Sequence, residues 1–79
     1  MDYKALFKKM GIKATPARVK LYEYLLTCGH ITSEDVFSWA KKNYKDYNRA
    51  TIYNTLNSFE SVGLLVKFKL PNTNTFIYD

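Results

Sequence analysis

The sequence predicts a mainly α-helical domain closed by a β-hairpin, on three observations. Capping and stop residues cut the chain before Gly63 into four helical stretches. After Gly63 the apolar period changes from helical spacing to alternation. The last helical stretch, Asn48 to Gly63, carries two faces of different chemistry. Seventy-nine residues make one small domain with a modest core.

The first helix is capped by Asp2, runs to about Met10 and stops at Gly11. Tyr3, Leu6, Phe7 and Met10 line one side, and Lys4, Lys8 and Lys9 point elsewhere. After the connector Ile12-Lys13-Ala14, Thr15-Pro16 starts a second helix, with Thr as N-cap and Pro at the first helical position. That helix runs to about Thr27 or Cys28, with Val19, Tyr22, Leu25 and Leu26 apolar, Leu21 flanking them and Gly29 as the stop. His30 and Ile31 read as a short extended bridge. Thr32 and Asp35 resemble a capping box, although Asp is shorter than the usual Glu. A third helix, Ser33 to about Asn43, buries Val36, Phe37 and Ala40, with Trp39 at its edge and Lys41 and Lys42 suiting its C-terminal end. Residues 44–47 form a polar turn.

The stretch Asn48-Arg-Ala-Thr-Ile-Tyr-Asn-Thr-Leu-Asn-Ser-Phe-Glu-Ser-Val-Gly63 organises the rest. Ile52, Leu56 and Phe59, with Thr55 beside them, form an apolar stripe. The opposite face holds Ala50, Tyr53, Asn54, Asn57 and Ser61, with no Lys or Glu of the kind that fills a merely solvated face. Carboxamides can pair with adenine N6 and N7, and an alanine methyl can touch a thymine methyl. From this helix alone, an ordinary surface helix with an unusual polar face stays equally open. Asn48 and Gly63 mark its two ends. Beyond it, Leu64 to Lys69, the turn Pro71-Asn72-Thr73-Asn74 and Thr75 to Tyr78 read as a hairpin. Helices with a helix-turn-helix pair made by the last two, followed by a hairpin, form the winged helix-turn-helix architecture. The expected core is Leu6, Phe7, Val19, Tyr22, Leu26, Val36, Phe37, Ile52, Leu56, Phe59 and the hairpin.

Charge points to a polyanion. Residues 1–20 hold six cations (Lys4, Lys8, Lys9, Lys13, Arg18, Lys20) against Asp2, while residues 21–79 hold six cations against six acids. The whole excess of +5 therefore sits at the N-terminus. One histidine, one cysteine, scattered carboxylates and no glycine-rich phosphate loop argue against an enzyme. No apolar run approaches the roughly 18 residues of a membrane span, no signal peptide opens the chain, and the single Cys28 excludes an internal disulfide. A reduced, cytoplasmic setting is expected. Cys28, at a helix end, reads as a small buried hydrophobe.

The order Gly11-Ile-Lys-Ala-Thr-Pro-Ala-Arg18, then His30, then Ala50-Thr-Ile-Tyr-Asn-Thr-Leu56, then Gly63-Leu64 resembles the DNA-binding domain of the ferric uptake regulator family, over nearly the whole chain. The resemblance implies duplex DNA binding in a metal-responsive transcriptional regulator, a repressor for iron or peroxide stress. Asn54 stands where the iron regulators usually carry Arg and is closer to the peroxide-stress branch; losing that Arg removes a possible guanine contact. Lys13 matches a lysine that relatives use in the minor groove. The DNA-contact candidates are Lys13, Thr15 and Arg18 before and within the second helix, Arg49, Ala50, Thr51, Tyr53, Asn54 and Asn57 on the reading helix, and Lys67 and Lys69 on the wing. The expected half-site is A·T-rich.

Full-length relatives bind zinc and iron or manganese, and the resemblance gives them a second domain with the dimer interface and most metal ligands. That domain is expected to be absent here, and a homodimer is expected only with it. His30 and Asp79 match ligand positions in relatives, but two ligands do not make a selective site; alone, His30 reads as a turn or core histidine. The chain is therefore expected to fold without a metal cofactor. The rival function is a winged-helix protein-interaction module without specific DNA binding.

Overall fold

The computed structural model describes residues 2–79. Four helices, α1 (Tyr3–Met10), α2 (Pro16–Cys28), α3 (Ser33–Asn43) and α4 (Arg49–Ser61), pack with strands β1 (Ile31–Thr32), β2 (Lys67–Lys69) and β3 (Phe76–Tyr78). The expected winged helix-turn-helix order is present. Each helix starts on a side-chain cap. Asp2, Thr15, Thr32 and Asn48 stand in extended backbone, and their oxygens accept from main-chain N–H groups that would otherwise lack partners.

Two helices end in the same way. Gly11 and Gly63 take φ of 79° and 83°, the left-handed region that favours glycine. The Ile12 N–H then donates to Phe7 O at 2.8 Å, and the Leu64 N–H to Phe59 O at 2.9 Å. These back-bonds satisfy helix-end carbonyls and turn Ile12 and Leu64 onto the core.

The sheet has the order β1-β3-β2 and is antiparallel throughout. Ile31 faces Tyr78 on one side of β3, and Lys67 faces Tyr78 on the other. The Ser33 side chain, buried at the start of α3, accepts from the Phe76 N–H at 3.1 Å and so ties α3 to the hairpin. The hairpin strands are shorter than alternation predicts. Residues 64 and 65 are spent on the α4 exit, with Leu65 buried, and main-chain pairing starts at Val66, which exchanges two bonds with Asp79.

The core is aromatic at its centre. Phe7, Tyr22 and Phe59 meet with ring centroids 5.4–5.5 Å apart, the offset and edge arrangements that aromatic rings prefer. Phe7 and Phe59 are fully buried, as are Leu21, Val36, Leu56 and Tyr78. Two expectations fail. Leu26 is 52% exposed, because it lies roughly a quarter-turn, at ~100° per residue, from the Leu21, Tyr22 and Leu25 stripe that faces the core. Cys28 is exposed too, in the last turn of α2, where the helix has run past the core. Leu6 and Val19 are half-buried at the core margin. Among the described residues no helix is long and apolar enough to cross a membrane.

Candidate nucleic-acid interface

Helix α4 is positioned by its buried stripe. Ile52, Thr55, Leu56 and Phe59 are buried, which leaves Ala50, Thr51 and Asn54 exposed and Tyr53 and Asn57 half-buried on the outer side. The Asn48 side chain accepts from the Thr51 N–H at 3.2 Å and fixes the first turn. Thr55 and Ser58 hydroxyls donate back to carbonyls four residues earlier, so they add no free polar groups.

Candidates fall into two clusters on either side of that face. On one side Lys13, Thr15 and Arg18 come together with Thr51 around a cleft of about 570 Å³ between the start of α2 and the start of α4. The Thr15 hydroxyl caps α2 by accepting from the Arg18 N–H at 3.2 Å, and the Arg18 guanidinium donates to Lys13 O at 3.3 Å. The arginine thus braces the connector that carries Lys13. Tyr44, Lys45, Asp46 and Tyr47 line the same cleft and escaped the sequence reading, which took 44–47 only as a polar turn; Asn48, read only as a helix cap, lines it too. Lys45 beside a helix start was the available signal. The Tyr44 hydroxyl donates to Ala17 O at 2.6 Å, fixing that wall, and burial pushes its pKa up to about 12.

On the other side stands the wing. Lys69 is exposed, but Lys67 folds onto α4: Nζ donates to Asn57 Oδ1 at 3.3 Å and sits 4.6 Å from the Phe76 ring centroid. Tyr53 leans towards Phe76, with centroids 6.5 Å apart, and so packs towards the wing. Arg49 reaches sideways, away from the outer face. Its guanidinium lies over the Phe37 ring at 4.2 Å and pairs with Glu34 at 3.0 Å, both side chains being largely exposed. An exposed pair of this kind adds little stability, but it aims the arginine. The Asn54 amide makes no side-chain bond among the described residues, so its carboxamide is free at both ends.

His30 and Asp79 are brought together as well, with Nδ1 and Oδ1 3.3 Å apart and side chains 75% and 50% exposed. His30 is therefore a surface turn residue and is not in the core. Asp79 is carried there by paired main-chain bonds to Val66, both 2.9 Å. Among the described residues no group of three or more His, Cys, Asp or Glu could hold a metal ion. Two exposed donors do not fit a resident metal by themselves.

The ferric uptake regulator family profile matches residues 9–79. The chain is 37% identical over 67 residues to the ferric uptake regulation protein of Cupriavidus metallidurans, covering 82% of this chain and 47% of that protein. It superposes on the Vibrio cholerae ferric uptake regulator with a TM-score of 0.84 at 25% identity, over 99% of this chain and 60% of the other. The manganese-containing ferric uptake regulator of Pseudomonas aeruginosa gives a TM-score of 0.81 at 28% identity, over 100% and 60%. Proteins named as peroxide regulators also match. The chain spans about half the length of the curated relatives it matches.

Proposed function

Since the chain belongs to the ferric uptake regulator family, we propose that it is the sequence-reading module of a metal-responsive transcriptional repressor. It binds duplex DNA with α4 in the major groove. The observation that carries this reading is the outer face of α4: uncharged, exposed at Ala50, Thr51 and Asn54, bearing a free carboxamide, and flanked by cations on both sides. Phosphates meet Lys13, Arg18 and Lys45 at one edge and Lys69 at the other, and such contacts set register without reading sequence. Arg49, held by Glu34, serves the backbone beside α4. Asn54 pairs with adenine through both amide ends, Ala50 leaves room for close approach, and the Tyr53 ring meets thymine methyls. The half-site is accordingly A·T-rich. In the whole regulator, dimerisation joins two such readers, and His30 and Asp79 contribute at most two donors to a site completed by other residues.

Selection of bound duplexes from a randomised pool tests the reading, using the 79-residue chain. Asn54→Ala is expected to lose about 1–3 kcal/mol on the selected site and little on random DNA. Tyr53→Ala is expected to lose selectivity for thymine at neighbouring positions. Equal losses on selected and random duplexes would mean that these residues position the domain without reading bases. Failure to retain any duplex in a salt-sensitive way would favour the protein-interaction module.

A further inference from the structure

Lys67 is unlike the other lysines. It is half-buried, whereas the other nine are exposed. It occupies the first position of β2, opposite Tyr78, and its side chain turns onto α4. Nζ donates to Asn57 Oδ1 at 3.3 Å and lies over two aromatic rings, 4.6 Å from the centroid of Phe76 and 5.7 Å from that of Tyr53. An ammonium held by a carboxamide oxygen and two ring faces is ordered before any ligand arrives. A lysine serving only to meet phosphate needs no such seat, and Lys69, two residues on, has none among the described residues.

The same contact orients Asn57. An ammonium has donors and no acceptor, so it selects the carbonyl end of the amide. Oδ1 therefore faces the wing and Nδ2 faces away. Pairing with adenine needs both ends, the oxygen for N6 and the nitrogen for N7. The Asn57 oxygen keeps a second lone pair, but it is turned to the wing by Lys67. What the two side chains offer outward is therefore chiefly N–H groups. Guanine presents two acceptors, O6 and N7, and no donor in the major groove; thymine presents the single acceptor O4 beside its methyl group, so it can use one donor only, and adenine and cytosine each present an amino group that would meet these donors head-on.

We propose that Lys67 and Asn57 form one base-reading unit that selects guanine, with the wing lysine converting an adenine-type asparagine into a guanine reader. The proposal rests on the DNA-reading role of α4 and deepens it. Asn54 and Asn57 are three residues apart, ~4.5 Å along the helix, and base pairs rise ~3.4 Å. The guanine thus falls one or two base pairs from the adenine read by Asn54, inside an otherwise A·T-rich half-site.

Selection from a randomised duplex pool with the full 79-residue chain tests this, using wild type, Lys67→Met, Lys67→Arg and Asn57→Ala. Wild type is expected to prefer guanine over adenine by roughly tenfold at one position near the Asn54 adenine. Lys67→Met frees the Asn57 oxygen, so preference at that position alone moves to adenine. Lys67→Arg keeps a donor-only partner and keeps guanine. Asn57→Ala loses most of the preference at that position and leaves the Asn54 adenine in place, which also covers the case in which Lys67→Met fails to fold. If Lys67→Met weakens all sequences alike and retains guanine, Lys67 is a phosphate contact and the proposal is wrong. A wild-type motif with adenine there defeats the unit while leaving the DNA-reading role intact; no wild-type motif at all defeats both.

Discussion

Tyr44 and Tyr78 carry the same phenol in two settings. The Tyr44 hydroxyl donates to Ala17 O at 2.6 Å. The Tyr78 hydroxyl is buried and has no protein partner among the described residues. Burial pushes both pKa values up to about 12, with Tyr53 and Glu60 adding to the effect at Tyr78. In an unfolded chain the phenols titrate near 10. Between about pH 10 and 12 the native state therefore keeps protons that the unfolded state has released. Stability is full below pH 10 and falls as pH rises through 12. Melting curves against pH should show that alkaline loss, and Tyr78→Phe should flatten it. At neutral pH, Tyr44→Phe should cost about 1 kcal/mol for its lost bond, while Tyr78→Phe should be neutral or gain on the order of 1 kcal/mol, since no bond is lost. A larger loss for Tyr78→Phe would mean that its hydroxyl has a partner in solution. Single-residue burial was the least legible level in the sequence. Leu26 fits helical spacing yet is exposed, and Cys28 fits the habits of its type yet is exposed. Helical spacing names a stripe, but only the neighbouring elements decide how wide it is.

Element boundaries were far more legible, because caps and stops act within four residues of themselves. Asp2, Thr15, Thr32 and Asn48 were readable as caps, and all four accept main-chain bonds. The β-structure was read less well. Leu64 to Lys69 alternates too loosely to reveal that residues 64 and 65 serve the helix exit, and nothing local announces that Ile31 will face Tyr78 across 47 positions. Strand pairing is a long-range property that periodicity does not carry. The Asn48 cap gives this level its prediction. Its Oδ1 accepts from the Thr51 N–H at 3.2 Å, so Asn48→Ala should cost about 1 kcal/mol, and Asn48→Asp should restore it. Urea unfolding reads this as a lowered midpoint at constant slope. An unchanged midpoint in Asn48→Ala would show that water replaces the cap without loss. Because α4 begins there, the same loss should loosen the first turn, which carries Ala50 and Thr51.

Across the whole molecule, the sequence revealed the two halves of the site separately, as a basic N-terminus and an uncharged helix face. Their junction came from tertiary packing. The α2 start, the 44–47 turn and the α4 start converge on one cleft, while Lys67 and Arg49 are claimed by partners 10 and 15 residues away. Spacing along one element cannot show such claims, which is why Asn57 looked like a free carboxamide. The convergence separates the cations at the cleft from those elsewhere, and salt dependence tests whether they differ in role. Lys13 and Arg18 share the cleft, and Arg18 also braces Lys13 O at 3.3 Å. The double variant Lys13→Ala/Arg18→Ala should weaken binding to all duplexes by a similar factor, because phosphate contacts are sequence-independent. Each lost contact should reduce the salt slope by about one unit, so the pair should lose about two. Lys42 lines a separate hollow with His30 and Cys28, away from the cleft residues, so Lys42→Ala should leave the slope unchanged. Binding isotherms across a salt series decide it. A slope unaltered in the double variant would remove the cleft from the interface and leave α4 and the wing to hold the duplex alone.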